Sequence, residues 1–122
     1  MQYIILIGDE KLTLDSIKSI EHTNSINNYD VPEIKNRYCV DYGMDHVFYD
    51  YDNSIIKDYE KVDLNKIPFS SPHFIVMIYK SEDRMRSILC QENFLKGIYV
   101  DNDYGLIIPI EDFIELGMPI DK

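Results

Sequence analysis

Three histidines and two cysteines are the side chains of widest chemical reach in this chain: His22, His46, His73, Cys39 and Cys90. Cys39 and His46 flank Gly43, and a hairpin turning at that glycine would bring thiol and imidazole towards each other. Such a pair can make a nucleophile, provided a third residue orients the base and an oxyanion site faces them. Neither accompanies them in the sequence. Asp45, Asp50 and Asp52 lie around His46, and strand alternation would put Asp50 and Asp52 on one face with the imidazole. That grouping could be drawn as the metal site of a hydrolase. Asp101-Asn102-Asp103-Tyr104-Gly105, with Asp112 at the twelfth position, is similar to the start of a calcium loop. Gly105 stands where an Asp or Asn ligand is wanted, however, and Leu106 replaces the glycine of the sharp turn. The segment reads better as a hairpin turn, where Asp and Asn tolerate left-handed backbone. The glycines are scattered, so no phosphate-cradling loop forms. No serine-hydrolase elbow, zinc-protease motif or dinucleotide fingerprint occurs. The expectation is a protein that is not an enzyme and holds no metal or cofactor.

What remains is acid and tyrosine. There are 22 Asp and Glu against 12 Lys and Arg, a formal net charge of −10, and ten tyrosines. Residues 41–60 carry six acids and one Lys, and 97–121 carry six acids and no Lys or Arg. Six tyrosines, Tyr38, Tyr42, Tyr49, Tyr51, Tyr99 and Tyr104, lie in or beside these stretches and interleave with the acids. Tyrosine offers large contact area with little rotamer freedom to lose, and carboxylates steer and pair with Arg and Lys. A surface this acidic repels nucleic acid phosphate and anionic lipid, which excludes the usual electrostatic route to either. The residues expected to meet a partner are Asp41, Tyr42, Asp45, Asp50, Tyr51, Asp52, Asp101, Asp103 and Tyr104. Tyr42, Tyr51 and Tyr104 are the candidate anchors.

The elements that must position them follow from periodicity. The length of 122 residues suits one domain. Tyr3–Ile7 and Phe74–Tyr79 are short unbroken apolar runs of the kind that form buried strands. Leu14, Ile17 and Ile20 predict a helix over 14–22 behind Thr13, and Met85, Ile88 and Leu89 predict a second behind the cap Ser81. Residues 23–35 read as a loop. Arg37–Tyr42 and Asp45–Tyr51 read as one hairpin, and Gly97–Val100 with Tyr104–Pro109 as another. Ser54–Asp58 is assigned as a strand, although Ile55, Ile56 and Tyr59 also fit a helix. Asp63–Ile67 is a helical turn, and Glu111–Leu116 a last helix closed by Gly117. The fold class is α+β, a mostly antiparallel sheet with helices on one face. The order strand, helix, hairpin occurs over 3–51 and again over 74–110, as two pseudo-repeated β-α-β-β units would give. Both cysteines lie in apolar-patterned segments and are expected as reduced, buried thiols. No secretory leader or membrane span is visible, so the expected location is the cytoplasm.

Pro72-His73-Phe74-Ile75-Val76-Met77-Ile78-Tyr79 and Gly97-Ile98-Tyr99-Val100-Asp101-Asn102-Asp103-Tyr104-Gly105, set in a small acidic domain, resemble the immunity proteins of bacterial polymorphic or contact-dependent toxin systems. The resemblance is one of kind and carries over no residue roles. It implies tight one-to-one binding to a basic toxin domain, by covering its active site or an exosite. The alternative from another class is a structural, self-associating domain, a homodimer through its tyrosine-rich strands.

Overall fold

The two apolar runs pair with each other at the centre of the sheet. In the computed structural model, which describes residues 1–121, β1 (Gln2–Gly8) and β5 (His73–Tyr79) are antiparallel over their whole length, from Gln2 opposite Tyr79 to Gly8 opposite His73. The other strands are β2 (Asn27–Asp30), β3 (Arg37–Asp41), β4 (His46–Tyr51), β6 (Tyr99–Asp101) and β7 (Ile107–Pro109). The sheet order is β2-β3-β4-β5-β1-β6-β7, and every neighbouring pair is antiparallel. The helices are α1 (Leu14–Lys18), α2 (Lys61–Leu64), α3 (Glu82–Leu89) and α4 (Ile110–Glu115), with a 3₁₀ helix at Asn53–Asp58. The domain is therefore α+β. No helix among the described residues is long and apolar enough to cross a membrane.

Strand alternation divides the core into two layers. On one face Ile4, Leu6, Val40, Val47, Tyr49, Ile75 and Met77 are buried against Ile17 of α1, Met85 and Ile88 of α3, and Phe113 of α4. Those three helices share a face, as the periodicity predicts. The segment that follows β4 adds a smaller layer on the other side. There Ile67 and the half-buried Ile55, Ile56, Tyr59 and Leu64 cover Ile5, Ile7, Phe74 and Ile107. β1 is thus covered on both faces, which is why its apolar run does not alternate.

Local chemistry sets the element ends. Ser81 Oγ accepts the Arg84 backbone N–H at 3.1 Å, and Glu82 and Asp83 occupy the first turn of α3, facing the positive end of the helix dipole. Gly117, with φ +86°, ends α4 in the left-handed conformation that favours glycine. α1 stops at Lys18, short of the predicted His22, because His22 folds into the core. Its Nδ1 donates to the Ile20 carbonyl at 3.1 Å, and its Nε2 accepts the Tyr49 hydroxyl at 2.8 Å. Burial pushes the His22 pKa down. Residues 23–35, predicted as loop, contain the edge strand β2. None of its four residues is buried, so the backbone ladder to β3 holds it without any apolar signal. Residues 54–58 are 3₁₀ helix and not strand: Asp52 Oδ1 accepts the Ser54 N–H at 3.0 Å and starts the turn. Cys39 is buried as expected, whereas Cys90 is exposed just after α3.

The two halves enter the sheet differently. The first hairpin reaches β5 through its second strand, β4, and the second hairpin reaches β1 through its first strand, β6. A repeat built from equivalent units would use the same strand of each hairpin.

Candidate functional site

The acids of the first hairpin already have partners, within the hairpin itself or on α3. Asp50 takes both arms of Arg37, from Nε and Nη2, each at 2.7 Å. Asp45 takes Arg84 from α3 in the same two-pronged way, each bond at 3.1 Å. Bidentate pairs of this type are the strong, geometrically specific ones. The Arg84 guanidinium also lies 3.8 Å from the centre of the Tyr42 ring. Asp41 accepts the Gly43 N–H at 2.8 Å and shapes the turn, as Asp52 shapes the 3₁₀ helix. Tyr51 is tied to its surroundings, its hydroxyl accepting from Asn53 Nδ2 at 2.9 Å and lying 3.2 Å from His73 Nδ1.

Tyr42 is buried at 7 % exposure, and its hydroxyl has no partner among the described residues. Burial pushes its pKa up to about 12. The expected shared surface of two hairpins is therefore corrected. Tyr42 cannot anchor a partner while covered by Arg84, and the charges of Asp45 and Asp50 are already matched by arginines.

The second hairpin keeps its charge and faces a groove. Asp101 and Asp103 stand across from Asp58 and Asp63, which the 3₁₀ helix and α2 hold over the sheet. Together they line a cavity of about 340 Å³ whose apolar surface comes from Ile5, Ile55 and Val76. Two phenols brace the carboxylates. Tyr59 donates to Asp101 Oδ2 at 2.6 Å, and Tyr3 donates to Asp103 Oδ2 at 2.8 Å. Asp101 Oδ1 accepts the Asp103 N–H at 2.8 Å, which holds Asp103 at φ 65°, a left-handed conformation that aspartate tolerates. The bond to Asp103 pushes the Tyr3 pKa up to about 12, and burial with the bond to Asp101 pushes that of Tyr59 up further. Both phenols stay protonated at neutral pH and fix the carboxylates without neutralising them. Among the described residues Lys66 is the one cation in contact, 3.4 Å from Asp63. Among the described residues no cation pairs with Asp58, Asp101 or Asp103. Tyr104, 52 % exposed, lies outside the groove, lining a neighbouring depression that shares Tyr3 and Asp103 with it.

Asp101 and Asp103 are thus the predicted residues that the fold brings into the groove, with Tyr104 beside them. Tyr3, Asp58, Tyr59 and Asp63 join them without having been singled out. The only signal for them was composition, because the contacts join residues far apart in the chain.

The chemical alternatives meet specific obstacles. Burial pushes the Cys39 thiol up, the reverse of what a nucleophile needs. Asp45 and Asp50 are held by different arginines and do not converge beside His46. Among the described residues no group of three or more His, Cys, Asp and Glu is arranged to hold a metal ion. Residues 101–105 form the turn of the second hairpin, with Asn102 Oδ1 accepting the backbone N–H groups of Tyr104 and Leu106.

The chain matches no family model, no curated protein and no solved structure. The functional reading rests on the groove and on the charge around it.

Proposed function

We propose that this protein is a non-catalytic binding protein for a basic protein partner, working as an immunity-type inhibitor that neutralises a toxin domain by binding it. The observation that carries the reading is the braced acidic groove. Asp101 and Asp103 are fixed in place by Tyr59 and Tyr3, the groove's four carboxylates have no matching cation among the described residues apart from Lys66, and they lie against Ile5 and Val76. An Arg or Lys side chain entering it would lay its aliphatic stem on that apolar surface and meet carboxylates already oriented. Orientation in advance removes part of the ordering penalty of association. The net charge of −10 would draw a basic partner in and speed the encounter.

The experiment is co-expression with a basic toxin domain encoded immediately upstream. Growth should be restored and the two proteins should co-purify as a one-to-one complex. Unrelieved toxicity, with no complex at low ionic strength, would contradict the proposal. Self-association is the second reading, favoured by the exposed edge strand β2. A second copy carrying the same charge opposes it, and sizing in solution tests it.

A further inference from the structure

The layer formed by residues 53–69 covers only part of its side of the sheet. No residue of β2, β3 or β4 belongs to the buried cluster beneath it. On the uncovered part the register aligns one residue from each of five adjacent strands. Tyr29 lies opposite Cys39, Cys39 opposite Phe48, Phe48 opposite Ile78, and Ile78 opposite Tyr3. This row crosses the sheet from its β2 edge and ends at the acidic groove, where Tyr3 is a wall.

Tyr29 and Tyr3 are 45 % and 41 % exposed, Phe48 and Ile78 are half-buried, and the small Cys39 is buried beneath its neighbours. Beside the row, the Arg37 guanidinium lies over the Phe48 ring, 4.6 Å from its centre, with Asp50 pairing it. Arg37 and Asp50 balance each other there, and Asp41 adds one carboxylate on the same face at the β3–β4 turn. Contiguous aromatic and aliphatic side chains on an open sheet face, with charge concentrated at one end, have the layout of an interface core and its rim.

We infer that the basic partner docks across this bare half of the sheet, with an apolar segment on the Tyr29–Phe48–Ile78–Tyr3 row and a cationic side chain in the groove beyond Tyr3. The inference rests on the proposed function and deepens it by locating the footprint. Charge complementarity selects this occupant. A second copy would bring another unmatched set of Asp58, Asp101 and Asp103 to the same face, whereas a basic chain supplies the missing cations. Contact with the row excludes water from around the groove, which strengthens the ion pairs at its end.

The test uses a short peptide of alternating leucine and lysine, with a leucine and glutamate peptide as control, and follows backbone amides by NMR. The lysine peptide should shift residues of β3, β4, β5 and β1 that share this face, and the glutamate peptide should not. Ile78→Lys should weaken lysine-peptide binding about tenfold or more. Tyr29→Lys, at an exposed edge position, should weaken it in the same direction and serves if Ile78→Lys disturbs the fold. Saturable, salt-sensitive binding that maps to α1, α3 and α4 would overturn the footprint and leave the basic-partner reading standing. No saturable binding of the lysine peptide at low salt would remove both.

Discussion

Replacing Tyr59 by phenylalanine removes one oxygen atom and separates the groove from ordinary packing. The hydroxyl donates to Asp101 Oδ2 at 2.6 Å, a short bond to a charged acceptor, and Asp101 is only 8 % exposed. Hydrogen bonds to charged groups contribute roughly 1.5–3 kcal/mol, and water can restore little of that at so buried a carboxylate. A loss of about 2 kcal/mol is expected. At about 4 °C per kcal/mol for a domain of this size, Tm should fall by about 8 °C at neutral pH. The ring keeps its packing against Phe74, 5.4 Å between centroids, so the loss isolates the bond.

The pH dependence adds a second signature. The Tyr59 pKa is raised in the folded state by burial and by Asp101. Its contribution is therefore fully present below about pH 10, the unfolded value, and is lost as the pH rises through the folded value. The difference in Tm between wild type and Tyr59→Phe should be full at pH 7 and shrink above about pH 10. Thermal melts followed by circular dichroism at a series of pH values measure both. Hydrogen exchange should also quicken over residues 53–67, the layer this bond fastens to the sheet. A variant that melts within a degree of wild type at pH 7, with unchanged exchange in that layer, would refute the bracing argument.

Two further outcomes follow from pairings outside the groove. Asp45→Asn breaks the two-pronged contact with the part-buried Arg84 and should lower stability by about 1–2 kcal/mol in chemical denaturation. It should leave partner association almost unchanged, whereas Asp103→Asn should slow association with little effect on stability. The reverse pattern would return the working charge to the first hairpin. His22 gives a pH limit on the acid side. Burial lowers its folded pKa, so the neutral ring's contribution is fully present above about pH 6.5 and is lost as the pH falls towards the lowered folded value. His22→Gln should flatten the stability profile in that window, as read from denaturant midpoints at each pH.

The parts legible in the sequence were those with local causes. The unbroken apolar runs of β1 and β5, the Ser81 cap with the stripe of Met85, Ile88 and Leu89, and Gly117 after α4 each carry their own signal. β2 has none, because an exposed edge strand is held by ladder bonds alone. Ile55, Ile56 and Tyr59 were ambiguous because the residue that decides them, Asp52, acts by capping and not by periodicity. The site was least legible because its contacts are long-range. Tyr3 reaches Asp103 across 100 positions and Tyr59 reaches Asp101 across 42. The same distance hid the neutralisation of Asp45, whose partner Arg84 lies 39 residues away. Both acidic regions are visible as runs of charge along the chain, whereas which of them is paired depends on partners distant in sequence.

The most direct measurement is the association rate constant between this protein and its purified partner as ionic strength rises from about 0.01 to 0.1 M, where the screening length falls from about 30 to 10 Å. The rate should drop about tenfold or more, and a variant with Asp58, Asp63 and Asp103 changed to Asn should start slower and show a clearly shallower dependence. An on-rate indifferent both to salt and to those three substitutions would contradict recognition of a basic partner through the groove.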